Sequence, residues 1–534
     1  MSLWKIAWRS IQQRGLASVL TALSMALGVM LVVLVLAIHG VVAESFGTWN
    51  LGYNLIVGAK GGSLQLTLNS VYYLSRPVEN ISYEYYLEFV GAEERSRALQ
   101  HSIRSHIHDA QWDTIEATMS AFPGDGLGSL AGALATDTLR AQDYSELDLD
   151  RGGKFGQFTA LAIPLCLGDY YGQFRVVGTT PDLFGKLTYG PSADRPYEFT
   201  AGRNFKHWDE EHSYFEAVVG STVAREKKLS VGDEIASTHG DPEGEGHGQK
   251  FTLVGILKPT GTPNDRAVFI NMEGFYLMED HALDPPKEDE ASAEDASGFA
   301  GMAGGFVEPE PEDEHDDEPP TGEKERLPVE QRQVTAILLR TVNPMVAVGM
   351  PRTIARDAQG RAQCVMPIRE INGLFVIFVS PIQRALLGIT ALVCLVSGIS
   401  ILVSIYNSMS DRKHEIAVMR ALGASRGTVM TVILLESVLL SVGGGALGWI
   451  GAHSVMALPA VSHAVEGRTG VPIGFLSFAP PIETLIEYPI IGPIIGNIPP
   501  ELMLIPALIA LAVAVGFLPA MAAYRTDVAK SLGS

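Results

Sequence analysis

Four stretches of the sequence are long and apolar enough to cross a lipid bilayer, and they constrain the fold more than any other feature. They cover residues 16–42, 385–406, 429–452 and 502–523, and a membrane-spanning helix needs about 20 apolar residues. The first stretch is longer than the apolar part of a signal peptide and has no A-x-A site after it, which favours an uncleaved span. The sequence therefore predicts a membrane protein with four transmembrane α-helices.

Basic residues predict the orientation of these spans, because loops rich in Lys and Arg stay on the cytoplasmic side. Three groups of basic residues flank the spans: Lys5, Arg9 and Arg14; Arg412, Lys413, Arg420 and Arg426; and Arg525 and Lys530. Four crossings place all three groups on one side of the membrane. We therefore expect both termini in the cytoplasm, a location in the plasma (inner) membrane, and residues 43–383 outside.

The outside segment is long enough to form a hydrophobic core of its own. Short apolar runs typical of strands alternate in it with helix-like stretches, which is the pattern of an α+β domain. Strands are predicted at 174–179, 217–220, 251–257, 334–340 and 364–367, and helices at 221–229 and 344–358. A helix from Arg369 is expected to run directly into the second span. The predicted fold is an α+β domain inserted between the first and second transmembrane helices.

An acidic insert within this segment is too polar to join a core. Residues 279–326 are rich in Asp, Glu, Pro, Gly and Ala and carry much of the net charge of −21. This composition favours a solvated linker. Cation binding is the alternative, because His281 and His315 lie among the acids. Residues 91–155 leave the same choice between an exposed polar helix and a metal site, at His101, His106 and His108.

Motifs for other chemistry are missing from the sequence. A phosphate-binding loop needs the order GxxxxGK[ST], and neither GAKGGS at 58–63 nor GKF at 153–155 supplies it. Residues 423–427 match GxSxG, but a nucleophile elbow follows a strand and this stretch follows a helical pattern. His207 and His212 are only a weak metal signal, so no metal ligands are assigned. The negative charge argues against nucleic-acid binding.

The three cysteines, Cys166, Cys364 and Cys394, are too few for a disulfide framework. One bridge between Cys166 and Cys364 is an alternative, and two free buried thiols are favoured.

The segment between the second and third spans has the pattern of a short amphipathic helix. Residues 411–424 read DRKHEIAVMRALGA, in which Ile416, Met419 and Leu422 recur at helical spacing. Gly423 is placed to stop that helix. Charged residues surround the apolar stripe: Arg412, Lys413, Glu415 and Arg420. Two functions stay open from these residues: docking of a soluble partner, or a helix anchored on the membrane surface by Arg and Lys.

Two features inside the spans point to helix packing. Gly444 and Gly448 form a GxxxG step in the third span, and Ser24 and Gly28 form a similar step in the first. Such steps are equally compatible with a dimer interface and with packing within one chain. Glu436 is ionisable and lies within a span, where such residues face protein or water. A structural polar contact is favoured for it over proton coupling.

Several longer motifs resemble a known family. The stretch DRKHEIAVMRALGASRGTVMTVILLES resembles the signature of FtsX-like permeases, and FLPAMAAYRTDVAKSL is similar to their closing motif. In the outside segment, VVGTTPDLF, AGRNF, VVGSTVAREKKLSVGDEI and FTLVGILKPTGTPNDRAVFINMEGF resemble the MacB-type periplasmic core domain. The chain is thus similar to permease subunits of MacB/FtsX-type ABC transporters of the mechanotransmission class. Residues 91–155 and 279–326 depart from that pattern as insertions.

The resemblance implies a permease without enzymatic activity or cofactor, because ATP is bound by a separate cytoplasmic ATPase subunit. It implies docking of that ATPase at Arg412, Lys413, Glu415, Ile416, Met419, Arg420, Leu422 and Gly423. It also implies a homo- or heterodimer of permeases and leaves room for a periplasmic adaptor or substrate-binding protein. Two functions follow: efflux, lipoprotein release or metal-related transport of an extracytoplasmic substrate, or non-transporting activation of a cell-envelope enzyme.

Overall fold

A computed structural model describes residues 3–13, 15–46, 51–74, 79–120, 151–190, 193–239, 246–278, 281, 326–357, 361–469, 471, 473–478 and 499–524. The chain divides into two compact units. The first, the helical unit, comprises Met1–Gly47 and Gly373–Ser534, and the second, the sheet domain, comprises Thr48–Asn372. Most of the acidic insert, with His315, lies outside the described residues, as do Arg14, Arg525 and Lys530.

Four helices of the helical unit are long and apolar enough to cross a membrane, as the sequence predicts. We name them span helices one to four: Gly15–Ser45, Ser380–Ala421, Arg426–Met456 and Leu504–Tyr524. Each is longer than, or nearly coincides with, its apolar stretch, because backbone hydrogen bonding continues into the polar flanks. Helix Pro367–Leu374 and a π-helical stretch, Phe375–Val379, precede span helix two without a break. This confirms the helix expected from Arg369 into the second span.

Shorter elements complete the helical unit: helices Leu3–Gln13 and Pro459–Thr469 and the 3-10 turn Pro500–Met503.

Small residues bring the span helices close together. A Cβ atom on Gly448 would lie 2.2 Å from the carbonyl oxygen of Ala26, and one on Gly444 would lie 2.8 Å from that of Ala22. On another side of span helix one, the hydroxyl oxygens of Ser24 and Ser397 are 3.1 Å apart. Gly28 also faces span helix two, since its Cβ would lie 3.4 Å from the Cys394 sulfur. Both small-residue steps therefore serve packing within one chain.

The sheet domain contains fourteen described strands. They are β1 Leu55–Ala59, β2 Ile81–Ser82, β3 Thr159–Tyr171, β4 Phe174–Thr179, β5 Thr188–Tyr189, β6 Arg195–Pro196, β7 Phe199–Gly202, β8 Glu216–Val219, β9 Glu234–His239, β10 Gly246–Leu257, β11 Ala267–Asn271, β12 Gln333–Val334, β13 Ala336–Thr341 and β14 Ala362–Val365. The strand expected at 334–340 is divided at Thr335, whose side-chain oxygen accepts a hydrogen bond from the Leu167 amide (3.0 Å).

The main sheet closes on itself through β9. Its strand order in the described part of the domain is β14-β1-β13-β3-β4-β11-β8-β10-β7, and β9 pairs with both β10 and β3. That double pairing joins β3, β4, β11, β8, β10 and β9 into a ring. The β4–β11 and β8–β10 pairs are parallel, and the other pairs are antiparallel. The ring closes where Asp169 of β3 stands opposite His239 of β9.

Helices and turns cover the sheet, and a large cluster of buried apolar residues packs between sheet and helices. The helices are Ser63–Ser70, Tyr83–Leu87, Ala92–Leu99, Ile103–Ser120, Asp182–Gly185, Ser221–Lys227, Met272–Tyr276 and Pro344–Asp357, and the 3-10 turns are Gly156–Phe158, Pro263–Arg266 and Val329–Gln331. The mixed sheet and its helices, placed between span helices one and two in the chain, confirm the predicted fold class. Cys166 and Cys364 are buried free thiols, as the sequence favoured.

Candidate functional site

The turn between span helices two and three is the first candidate site. The sequence predicted a separate short helix here. That prediction is wrong, because residues 411–421 continue span helix two to its end at Ala421. Gly423 then adopts a left-handed backbone with φ of +99°. The Ala424 amide donates to the Met419 carbonyl (3.0 Å), and the Gly423 amide donates to the Arg420 carbonyl (3.1 Å). These two bonds form a Schellman motif, which ends the helix with its last carbonyls satisfied.

A helix cap begins the next span directly after that motif. The Ser425 side chain accepts a hydrogen bond from the Thr428 amide (3.1 Å) and caps span helix three. The connection between span helices two and three is therefore a short turn of defined conformation rather than a loose loop. We call residues 416–425 the coupling turn.

The three apolar residues expected on one docking face have different surroundings. Ile416 is 3% exposed and belongs to the core of the helical unit, and Met419 packs against that core. Leu422 is 84% exposed. Arg420 is partly exposed, whereas Arg412, Lys413 and Glu415 lie in the helix with side chains outside the described set. The structure thus separates two anchored residues, Ile416 and Met419, from one accessible residue, Leu422.

Two buried carboxylates, Glu436 and Glu501, make side-chain contacts in the described part of the helical unit. The Ser10 hydroxyl donates to Glu436 (3.0 Å) and links helix Leu3–Gln13 to span helix three. His453 Nε2 lies 3.0 Å from Glu501 Oε2, and both side chains are fully buried. Trp449 Nε1 donates to the same Glu501 oxygen (3.1 Å). Sequence reasoning found Glu436 inside an apolar run but missed the second contact, because Glu501 precedes its span.

Among its described residues, the sheet domain contains two clusters of His and acidic side chains whose ligand-type atoms all lie within 4.8 Å of one another. The seam cluster consists of Asp169, His239 and His281, at the closure of the strand ring. The loop cluster consists of Asp209, His212 and Glu216, at the start of β8. His101, His106 and His108, which the sequence offered as a possible metal site, belong to neither of these described clusters.

The seam cluster centres on a fully buried carboxylate. Asp169 Oδ1 lies 3.3 Å from His239 Nδ1, and Asp169 Oδ2 lies 3.3 Å from His281 Nε2. The Ser237 hydroxyl donates to Asp169 Oδ2 at 2.9 Å. The ring of His281 packs on Phe275, with 4.3 Å between centroids. Two imidazoles therefore approach one buried carboxylate from separate parts of the chain.

The loop cluster contains permanent positive charges. Arg203 donates to Glu216 (2.9 Å) and to Asp209 (3.3 Å), and Lys206 donates to Asp209 (2.6 Å). The hydrogen bond from Lys206 is the largest cause that lowers the pKa of Asp209 to about 2. His212 lies 3.5 Å from both carboxylates. This arrangement is an ion-pair network in which cationic side chains already neutralise the acids. His207 lies nearby in the sequence but outside the cluster.

Comparison with known proteins agrees with this architecture. Residues 387–528 match the FtsX-like permease C-terminal family, and residues 96–296 match the MacB-like periplasmic core domain family. A protein of Bacillus subtilis (strain 168) named "Uncharacterized ABC transporter permease YknZ" is 37% identical over 71 residues, which is 13% of this chain. The chain matches about a fifth (18%) of that relative's length.

Four apolar helices in the described residues, with a mixed-sheet domain between the first and second in the chain, define the class of this protein as a membrane protein with an inserted α+β domain. The two family matches and the relative support a MacB/FtsX-like permease of the ABC transporter type. The resemblance seen in the sequence is confirmed.

Proposed function

We propose that this chain is the transmembrane subunit of an ABC transporter and couples ATP hydrolysis by a separate cytoplasmic ATPase to work on an extracytoplasmic substrate. The observation that carries the proposal is the coupling turn, where an exposed apolar side chain stands on a capped connection between two span helices. Leu422 at 84% exposure is the apolar contact offered to the ATPase.

The packing of Ile416 and Met419 explains how movement of the coupling turn would be transmitted to the span helices. Ile416 and Met419 lie one or two helical turns before Leu422 and pack into the same core as Met25 and Ile433 of span helices one and three. Because packed interiors transmit displacement rather than absorb it, movement of the turn would shift these helices together. Ile416 and Met419 then act as the internal anchor, and Leu422 as the external contact.

The competing proposal from the sequence is a helix held on the membrane surface by basic residues. It predicts that Leu422 contacts lipid and that ATPase association does not depend on it. Docking instead predicts that Leu422 is buried against the ATPase and that a substitution there removes this contact. Burying a Leu side chain stabilises a complex by about 1.5–3 kcal/mol. A tenfold change in affinity corresponds to about 1.4 kcal/mol.

The test is co-purification of the ATPase with wild type and with Leu422→Asp, at matched membrane levels of the permease. We expect at least about tenfold weaker recovery with Leu422→Asp. Leu476→Asp is the matched control, because Leu476 is also exposed (72%) but lies between span helices three and four. Undiminished recovery with Leu422→Asp would contradict docking at the coupling turn.

The orientation of the chain is part of the proposal. Both termini and the coupling turn are placed in the cytoplasm, and the sheet domain outside, on the distribution of Lys and Arg. Reporter fusions at Ser230 and Ser410 test this. A reporter enzyme that is active only on the extracytoplasmic side should be active when fused at Ser230 and inactive when fused at Ser410. The reverse result would overturn the topology.

The working unit is proposed to contain two permeases and the ATPase, with the chain itself hydrolysing no ATP. ATP hydrolysis by the purified chain alone would count against this assignment. Purification of the intact complex from membranes should recover the ATPase together with an envelope partner. A periplasmic adaptor, a lipoprotein-binding protein or a metal-binding protein as that partner supports transport, and a cell-wall hydrolase supports the FtsX-like regulatory function.

A further inference from the structure

We propose that the seam cluster, Asp169, His239 and His281, is a binding site for a divalent transition-metal ion of the zinc class. The site lies in the sheet domain, at the point where β9 closes the strand ring. It is independent of the coupling turn and goes beyond the permease function.

The fold brings the three side chains together from separate elements. Asp169 and His239 are direct cross-strand partners in the β3–β9 pair. His281 follows helix Met272–Tyr276 and reaches the same carboxylate from a later part of the chain. Cross-strand partners have Cβ atoms about 4.5–5.5 Å apart, which is a separation that one metal ion can bridge with an Asp and a His.

The distances within the cluster correspond to coordination spacing. Zinc binds His nitrogen and carboxylate oxygen at about 2.0–2.2 Å in tetrahedral geometry, so neighbouring ligand atoms lie about 3.3–3.5 Å apart. His239 Nδ1 lies 3.3 Å from Asp169 Oδ1, and His281 Nε2 lies 3.3 Å from Asp169 Oδ2, so an ion between the imidazoles would meet both carboxylate oxygens. A charge-assisted N–H···O⁻ hydrogen bond is shorter, at about 2.7–2.9 Å. The spacing matches two imidazoles that share one ion with the carboxylate.

Burial and the surrounding contacts prepare the carboxylate for an ion. Asp169 is fully buried, and buried carboxylates are paired or coordinate metal ions. The Ser237 hydroxyl fixes one carboxylate oxygen, and Phe275 supports the ring of His281. Contacts of this kind around the ligands orient them and are part of most metal sites.

The donor set and its exposure define the kind of ion and how it is held. Two imidazole nitrogens and one carboxylate oxygen suit Zn²⁺ and its neighbours better than Ca²⁺ or Mg²⁺, which prefer oxygen ligands. Three protein ligands leave a fourth position for water or for a donor from another molecule. The His239 side chain is 54% exposed, so the ion is reached from solvent. The site is therefore suited to exchange an ion rather than to hold it permanently.

The loop cluster provides the internal control. It has the same residue types, but Arg203 and Lys206 already occupy its carboxylates. A metal ion there would have to displace two cationic side chains. His212→Gln is therefore the control for His239→Gln, because it makes the same substitution in the same domain. It should not affect metal binding at the seam cluster.

The experiment uses the full-length protein in detergent, with any affinity tag removed and bound metals stripped by a chelator. Zn²⁺ affinity is measured by competition with a chromophoric zinc indicator. Loss of supporting residues alone weakens metal sites by about 10–100-fold, so His239→Gln and His281→Gln should each weaken binding by at least about tenfold. His212→Gln should bind as wild type does. Substitution of Co²⁺ should give a visible tetrahedral spectrum that both seam variants lose.

A deletion tests whether the acidic insert, rather than the seam cluster, binds the ion. Removing residues 284–322 from the full chain leaves His281 in place and should preserve the site of highest affinity. Because the His239 side chain is half exposed, the His239→Gln protein should elute and unfold like wild type. Wild-type affinity in both seam variants, or loss of Zn²⁺ binding on deletion of the insert alone, would overturn the proposal.

Discussion

The sheet domain and the helical unit bury polar and small residues in different ways. In the sheet domain, charged side chains lie in the interior and are matched by opposite charges and aromatic rings. In the helical unit, glycines let backbones touch, and carbonyl oxygens of one helix face the Cα atoms of another. The reason is the surrounding solvent: lipid gives helices little hydrophobic drive to associate, so close packing must do so.

Arg332 and Gly448 represent the two solutions. The Arg332 guanidinium is 3% exposed, donates to Glu273 (2.9 Å) and lies over the rings of Tyr83 and Tyr276. Gly448 has no side chain, and span helix one lies where a Cβ would stand. At Arg332 the sheet domain completes a buried charge pair, and at Gly448 the helical unit brings two helix backbones into contact.

The largest effect is expected from breaking the buried pair in the sheet domain. Removing one partner of such a pair costs about 3–5 kcal/mol, because the other charge stays buried and unpaired. Arg332→Ala should therefore lower the free energy of unfolding of this domain by that amount. The exposed pair Lys258–Glu198 is the control, and Lys258→Ala should cost far less, because solvent screens exposed ion pairs. Equal losses in chemical denaturation would remove the distinction.

Filling the glycine contact in the helical unit should have the next largest effect. Gly448→Leu forces span helices one and three apart, since the obstacle is a backbone oxygen 2.2 Å from the new Cβ. We expect a loss of about 3 kcal/mol. Gly443→Leu is the matched control in the same helix, because a Cβ there meets no described atom within 4 Å. Thermal aggregation in detergent measures both, and a stable Gly448→Leu protein would contradict the packing.

A smaller, pH-dependent effect is expected in the loop cluster. Lys206 lowers the pKa of Asp209 to about 2, below the ordinary value of 3.8. The stabilisation is therefore complete above pH 3.8 and is lost as the pH falls towards 2. Asp209→Asn mimics the protonated carboxyl. It should lower stability by about 0.5–1 kcal/mol at pH 7, because both cations are half exposed.

The pH series for Asp209→Asn decides whether charge is the cause. The difference from wild type should shrink between pH 4 and pH 3 in thermal unfolding. A difference that stays constant over that range would show that the substitution acts through shape and not through the ion pairs.

The smallest effect concerns reactivity rather than stability. Burial raises the pKa of Cys166 and of Cys364 to about 12, so both stay as protonated thiols at pH 8. In a Cys394→Ser background, maleimide should label neither residue in the folded protein and both after denaturation. Rapid labelling of the native protein would show that maleimide reaches Cys166 or Cys364 in the folded state. The absence of labelling after denaturation would indicate a disulfide.

Much of the architecture was predictable from local patterns. The four spans, the helix from Pro367 into span helix two and strand β4 follow from runs of residues that are adjacent in the chain. The helix end at Gly423 was predictable because only the local backbone is involved. The burial of Ile416 was not, because the amphipathic stripe of residues 411–424 indicates an apolar face without showing what covers it.

The sequence by itself determined that this chain crosses the membrane, carries an α+β domain and lacks a phosphate-binding loop, because run length, periodicity and motif order are properties of neighbouring residues. Only the tertiary structure decided that Gly448 faces Ala26, that Leu422 alone of three candidates is exposed, and that Asp169 meets His239 and His281. Those contacts join residues far apart in the chain. Their partners are selected by the closure of the strand ring and the packing of helices, which no local pattern encodes.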